Sequence, residues 1–365
     1  MKDLFRLFIR LGLTAFGGPA AHIALMQREV VEKRGWMDHD HFLDLIGATN
    51  LIPGPNSTEM AIHIGQERAG WKGLLIAGAC FICPAVVITG VIAWLYQRYG
   101  LLPQVAAFIY GVKPAIIAVI LAAALPLARR ALKGMLLWLI AGAALAAGLV
   151  GVNEIYVLFG AGLLTLAWTA ARRRDGGLRG FLPVLLQVPV VVVSNARIFF
   201  SFLKIGAILY GSGYVLFAFL DSELVAKGLL SRKVLIDAIA VGQFTPGPVF
   251  SSVTFIGWQM GGWKTAALAT LAIFLPSFVF VALSHPLVPR LRRSKLFSAF
   301  LDGVNAASVA IILTVCIEFG RATITDWRTI VIAVASAIVV FGFPKVNNAF
   351  VILGGSVLGY LLFRL

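Results

Sequence analysis

The chain has 365 residues, of which 60% are hydrophobic and 13% charged, and its mean hydropathy is +0.92. Soluble domains carry about 25% charged residues, so this composition excludes a water-soluble globular protein and indicates an all-α polytopic membrane protein. In a soluble chain a net charge of +15 would point to nucleic acid. Here the basic residues gather at the ends of apolar segments: Arg129, Arg130 and Lys133; Arg172, Arg173 and Arg174; Arg290, Arg292, Arg293 and Lys295. That is the bias of cytoplasmic loops; it excludes a nucleic-acid partner and makes the lipid bilayer the surface these charges meet.

In chain order, a first membrane helix is predicted near 3–18, with charges inside its apolar run and no cleavage site. The simplest host bilayer is therefore a bacterial plasma (inner) membrane, crossed many times. A glycine turn, Phe16-Gly17-Gly18-Pro19, closes the segment. Asp38-His39-Asp40-His41 invites a metal reading, but an Asp before a helix is an ordinary cap, and no distant ligand set accompanies it. An element near 40–66 follows, broken at Pro53-Gly54-Pro55, and then apolar segments near 71–95, 103–127, 134–150 and 152–171. Cys80, Cys83 and Cys316 lie inside such segments and read as small packed residues. No metal or other cofactor is expected.

A basic cytoplasmic linker over 172–182 divides a first membrane repeat, 1–171, from a second, 183–365. The second offers segments near 198–220, 234–258, 263–284, 297–318, 329–342 and 346–364. The segments 134–150 and 329–342 are short for full spans. Homology of the halves shows in a nearly constant displacement. Gly12 matches Gly206 (206 − 12 = 194), Gly54 matches Gly247 and Asp44 matches Asp237 (both 193), and Pro84 matches Pro276 and Gly111 matches Gly303 (both 192). Equivalent loops carry opposite basic bias, which predicts halves of inverted topology. Five crossings each, plus a re-entrant element broken at Pro-Gly-Pro, produce that inversion automatically and give ten crossings in all.

Two prolines around a glycine end one helix and start another. At membrane depth such a break must face protein or a water-lined cavity, and the half-helix beyond it presents free N–H groups and the positive end of its dipole. Candidate substrate-binding residues are Asn50, Pro53, Gly54, Pro55, Asn56, Ser57 and Thr58 in the first half, and Gln243, Pro246, Gly247, Pro248, Ser251 and Ser252 in the second. The turn glycines Gly17, Gly18 and Gly211 join them, together with Lys113. Asn56, Ser57 and Thr58 are placed to cap the half-helix. Lys113, deep in an apolar segment, reads equally as a substrate attractor and as half of a structural ion pair.

Glu59 matches Ser252, so the acid belongs to the first half alone. It reads either as the partner of Asn56 in a capping box or as a carboxyl whose protonation relieves repulsion of a bound anion. His22 and His63 are further proton-coupling candidates, each also readable as a packed histidine.

The segments FGGPAAHIALMQREVVEKRGWMDHDHFLDLIGATNLIPGPNSTEMAIHIG and YGSGYVLFAFLDSELV, the latter followed by GQFTPGP, resemble the two signature copies of the chromate ion transporter (CHR) family in its two-domain form. The second copy departs slightly, with GSG where a GGG-type turn is usual. The resemblance implies a secondary transporter that expels chromate in competition with sulfate, driven by the proton-motive force, by alternating access. It further implies opposite topology of the halves, as in single-domain relatives that pair, and leaves a homodimer open. The rivals are a passive anion channel and a sulfate transporter without proton coupling. An enzyme is not expected, because no nucleophile or metal constellation stands out.

Overall fold

A computed structural model describes residues 1–16, 18–100, 103–172, 195–210, 213–284, 294–343 and 346–363. Among the described residues every regular element is helical. The first half comprises α1 (Lys2–Thr14), α2 (Gly18–Gln27), a π-helical turn (Arg28–Lys33), α3 (His39–Thr49), α4 (Asn56–Tyr99), α5 (Pro103–Ala131), α6 (Met135–Leu149) and α7 (Glu154–Arg172). The second comprises α8 (Asn195–Ile208), α9 (Leu216–Leu220), a second π-helical turn (Asp221–Val225), α10 (Arg232–Phe244), α11 (Ser252–Ser284), α12 (Lys295–Thr323), α13 (Trp327–Gly342) and α14 (Asn348–Phe363).

Five helices are long and apolar enough to cross a bilayer: Asn56–Tyr99, Ala107–Ala131, Glu154–Arg172, Val249–Ser284 and Leu296–Thr323. Large apolar side chains on them face outward, Trp71, Val87, Leu164 and Leu271 among them, which suits lipid and not water. The chain is a multi-pass membrane protein. Helices α6 and α13, with 15 and 16 residues, reach about 22–24 Å at 1.5 Å per residue, short of a hydrocarbon core of about 30 Å.

Both long central helices are folded back on themselves. In α4 the backbone leaves helical geometry at Ala69 and Gly70 (φ +55). Gly65 then lies so close to Gly73 that a Cβ on it would sit 2.3 Å from the Gly73 carbonyl oxygen. The limbs 56–68 and 71–99 are thus antiparallel neighbours. In α11 Gly262 (φ +74) makes the same reversal, and Gly257 meets Ala266 as Gly65 meets Gly73. Glycine is required at the turn for its positive φ and at the crossing because the backbones touch.

The halves interlock with a two-fold regularity. Helix α1 packs on the second limb of α4, where a Cβ on Gly12 would lie 2.7 Å from Phe81 O; α8 packs on α11 in the same way, where a Cβ on Gly206 would lie 2.3 Å from Ile273 O. The outer helices are exchanged: α5 packs through Gly111 on Gly355 of α14, and α12 through Gly303 on Ala161 of α7.

Two expectations are corrected. Helix α1 ends at Thr14 instead of 18, and the helical run of α2 and the π-turn follows it. The segment 198–220 is not one helix, because α8 stops at Ile208 and the separate α9 begins at Leu216. In both places the carbonyl of the residue just after the helix accepts from a backbone N–H of the other half, as described below. The linker 172–182 lies outside the described residues beyond Arg172.

Candidate functional site

Each Pro-Gly-Pro break is strapped to the opposite half. Gly54, at φ +138, donates its N–H to the carbonyl of Leu209 at 2.8 Å; Gly247, at φ +87, donates to Ala15 at 2.9 Å. Ala15 and Leu209 follow the ends of α1 and α8 at equivalent positions (209 − 15 = 194). The first helix of each half therefore ends just before a carbonyl that accepts from the other half's break. Gly18 (φ +80) contributes to the turn after α1 and faces the Tyr214 hydroxyl. Gly17 and Gly211 lie outside the described residues.

The first break does not carry the caps expected of it. Pro55 is the N-cap of α4, and no side chain caps the helix. The Asn56 amide instead donates to Asn50 Oδ1 at 2.8 Å across the break, so it is unavailable to the helix end. The N–H groups of Thr58 and Glu59 close on Pro55 O at 2.7 and 3.1 Å. Those of Asn56 and Ser57 belong to the open first turn. Ser57 Oγ lies 3.2 Å from His22 Nδ1, and His22 Nε2 lies 3.1 Å from Ala15 O. A carbonyl can only accept, so Nε2 carries hydrogen and the Ser57 hydroxyl donates to Nδ1 of the neutral ring. Buried and set edge-on to Phe81, His22 ties the first break to the carbonyl that holds the second.

Glu59 is fully buried, and among the described residues neither carboxyl oxygen makes a hydrogen bond of good geometry. The capping box with Asn56 does not form. The Glu59 carboxyl and the Ser277 hydroxyl of α11 both lie against Gly54, where a Cβ would sit 2.1 Å from Glu59 Oε1 and 2.7 Å from Ser277 Oγ. Ser277 is the polar group that faces the acid, and Tyr210 is within its electrostatic reach. The second break has the same frame with different chemistry. Gly247 lies against Ala85, the equivalent of Ser277 (277 − 85 = 192), and Ser252 takes the place of Glu59. Ser251 accepts from Thr89 Oγ1 at 3.4 Å, and Tyr214 reaches Gln243.

Several donor groups around the two breaks are buried and make no hydrogen bond of good geometry among the described residues: Thr58 Oγ1, Ser252 Oγ, Ser277 Oγ and Gln243 Nε2. Buried polar groups are seldom left so, and hydroxyl and amide donors gathered at helix N-termini are what an oxyanion satisfies. Pro53, Pro55, Pro246 and Pro248 are the breakers themselves; they offer no N–H.

Lys113 is not at the breaks. Its Nζ lies 3.0 Å from Asp237 Oδ1, and the Tyr96 hydroxyl donates to Asp237 Oδ2 at 2.6 Å. Asp237 is six residues before Gln243 on α10, about 9 Å along the helix. Asp38 caps α3, accepting from His41 N at 2.7 Å, and His63 is buried one turn beyond Glu59.

Ser277, Thr89 and Tyr210 were not foreseen, because they reach the breaks only through contact between halves, and Tyr214 because it meets Gln243 only through the tertiary fold. A paired ionic cluster was also missed. Glu29, on the first π-turn, holds Arg10, Arg34 and Lys33, the last at 2.8 Å; Glu223, on the second, holds Lys227 and, at 2.6 Å, Lys204. The signal was present: 10 and 204, 29 and 223, 33 and 227 all differ by 194.

A family model described as chromate transporter matches residues 2–166 and again 196–360, copies displaced by 194 positions (196 − 2 = 194). The chain is 30% identical to the chromate transport protein of Cupriavidus metallidurans, over 100% of the chain and 94% of that protein. It is 30% identical to the chromate transport protein of Pseudomonas aeruginosa, over 99% and 92%. To the probable chromate transport protein of Synechococcus elongatus it is 29% identical, over 93% and 89%. No solved structure matches.

Proposed function

Because the chain belongs to the chromate transporter family, we propose that it is a secondary transporter carrying chromate across the plasma membrane, with sulfate, a dianion of the same shape, as competitor. The site lies between the two Pro-Gly-Pro breaks. What carries this reading is the pair of crossed bonds, Gly54 N–H to Leu209 O and Gly247 N–H to Ala15 O, with buried hydroxyl and amide donors around them that make no hydrogen bond of good geometry among the described residues. A dianion held there draws on both halves at once. The two-fold exchange of outer helices supports inverted repeats with a common central site, and alternating access by rocking one repeat against the other.

Export is the direction the membrane potential favours. Moving a dianion outward gains about 4.6 kcal/mol per 100 mV, twice the value for one charge. Glu59 is the coupling group. A carboxylate about 6 Å from a dianion repels it by about 5 kcal/mol at an effective dielectric near 20, so the anion binds when Glu59 holds its proton, which ties anion occupancy to proton supply. Lys113, paired with Asp237, attracts substrate only in a state that opens that pair.

The test is chromate flux in proteoliposomes with sulfate as competitor and a pH gradient imposed or abolished. Competition together with a gradient response supports the proposal. Flux indifferent to the gradient removes the proton step and favours a passive anion pathway, which would share the breaks but need no Glu59.

A further inference from the structure

We propose that Glu59, His63 and Glu67 form a proton path from the buried first break to a polar cavity at the turn of α4, so that the first half alone exchanges protons with water. The inference rests on the proton-coupled reading above and extends it from a single acid to a route. The three residues are spaced i, i+4, i+8 on the helical limb 56–68, which brings successive side chains within about 5–6 Å at Cβ. Exposure rises along the row: Glu59 is 0% and His63 1% exposed, and the Glu67 side chain 30%. Gln66, beside Glu67, has its Oε1 buried without a hydrogen bond.

The outer end opens into a cavity of about 110 Å³ lined by Trp36, Met37, His41, Ile64, Glu67 and Arg68. That is room for several waters. His41 Nε2 lies 3.5 Å from Glu67 Oε1, and the Arg68 guanidinium stacks 5.1 Å from the Trp36 ring. The cavity thus has a proton acceptor, a second titratable ring and a fixed cation at its rim. The second half has no such row, since Ser252 takes the place of Glu59, the equivalents of His63 fall at Phe255 or Ile256, and Gln259 takes the place of Glu67 (259 − 67 = 192).

Other ionisable groups around the limb are accounted for. His22 of α2 is engaged by Ser57 and Ala15. Tyr210 faces Glu59 from the end of α8. The ionisable residue of α11 is Lys264, beyond its reversal. On α1, Lys2, Asp3, Arg6 and Arg10 are exposed, and α3 contributes His39, Asp40, His41 and Asp44. Asp237 of α10 is engaged by Lys113 and Tyr96. In the transfer, the Glu59 O–H breaks as an N–H forms on one nitrogen of His63. The opposite ring N–H then passes its proton to the Glu67 carboxylate, and the ring returns to neutral.

The experiment measures chromate flux driven by a pH gradient in proteoliposomes holding wild type, His63→Leu, His63→Ala or Glu67→Gln protein. For His63→Leu the driven rate falls at least about tenfold while KM stays within about twofold, the pattern of a lost transfer step with binding intact. Imidazole in the buffer restores His63→Ala at least severalfold, and Glu67→Gln shifts the pH–rate profile. A responsive wild type with an equally responsive His63→Leu overturns the path alone. Rate and KM lost together, with no imidazole rescue, also overturns it, since His63 is then a packing residue. A wild type indifferent to the gradient overturns the coupling reading and the path with it.

Discussion

Replacing Gly54 by Ala tests the geometry of the breaks. The new Cβ would lie 2.1 Å from Glu59 Oε1 and 2.7 Å from Ser277 Oγ, so the carboxyl must retreat by about 1.3 Å to reach ordinary contact at 3.4 Å (3.4 − 2.1 = 1.3). The backbone at φ +138 costs a non-glycine residue about 1–3 kcal/mol. Shifting it weakens the Gly54 N–H bond to Leu209, a further contribution of about 1 kcal/mol. A total of about 2–4 kcal/mol falls on the substrate site, on the order of 30- to 700-fold in flux at 1.4 kcal/mol per decade. The assay is chromate uptake by proteoliposomes at matched protein density, with a thermal melt of the purified protein to show that it is folded. Gly70→Ala is the control: Gly70 also has a positive φ, +55, but a Cβ there meets nothing within 4 Å. It should cost about 1–2 kcal/mol of local stability and leave flux within about threefold. Wild-type flux in Gly54→Ala, or equal damage from Gly70→Ala, would refute the reasoning.

Further outcomes are expected elsewhere. Glu59→Gln mimics the protonated acid, so it should retain chromate binding and lose the pH dependence of flux; an unchanged pH profile would remove Glu59 from coupling. Lys113→Met strands Asp237 and should lower stability by about 3–5 kcal/mol, the usual effect of breaking a buried pair, read as a melting shift. Adding Asp237→Asn should recover most of that loss, and wild-type KM in the double variant would exclude Lys113 from chromate binding. At Glu29, burial raises the carboxyl, but hydrogen bonds from Lys33, Arg34 and Arg10 outweigh it and bring the pKa down from 4.5 to about 2. Its folded-state value is depressed, so its contribution is complete above about pH 5 and lost as pH falls towards 2. The melting temperature should drop over that window, and Glu29→Gln should flatten the drop.

The sequence made the repeat and the breaks legible because both are written in glycine and proline, whose backbone limits hold in any context. Gly54 and Gly247, Gly12 and Gly206, and Gly111 and Gly303 all sit where the constant displacement predicts, each at a close approach or a positive φ. Contacts between halves were not legible. Nothing in the sequence says that Ser277 faces Glu59, or that Leu209 and Ala15 receive the break glycines, because these pairs are more than a hundred residues apart. Local capping rules failed at Asn56 for a different reason: its amide is claimed across the break by Asn50, six residues earlier in the same half. The folding back of α4 was half visible: the segments near 40–66 and 71–95 meet at Gly70, but a reversal and a kink share the same glycine. The clusters around Glu29 and Glu223 were within reach of the repeat alone, had the displacement been applied to every charged residue.

The central claim is that both breaks form one oxyanion site whose occupancy is tied to a proton. Chromate flux into proteoliposomes under a pH gradient, with the potential clamped and sulfate added as competitor, tests it most directly. The account predicts flux that changes with the gradient, is inhibited by sulfate, and is lost in Gly54→Ala and Gly247→Ala alike. Flux that ignores the gradient and survives both substitutions would contradict it.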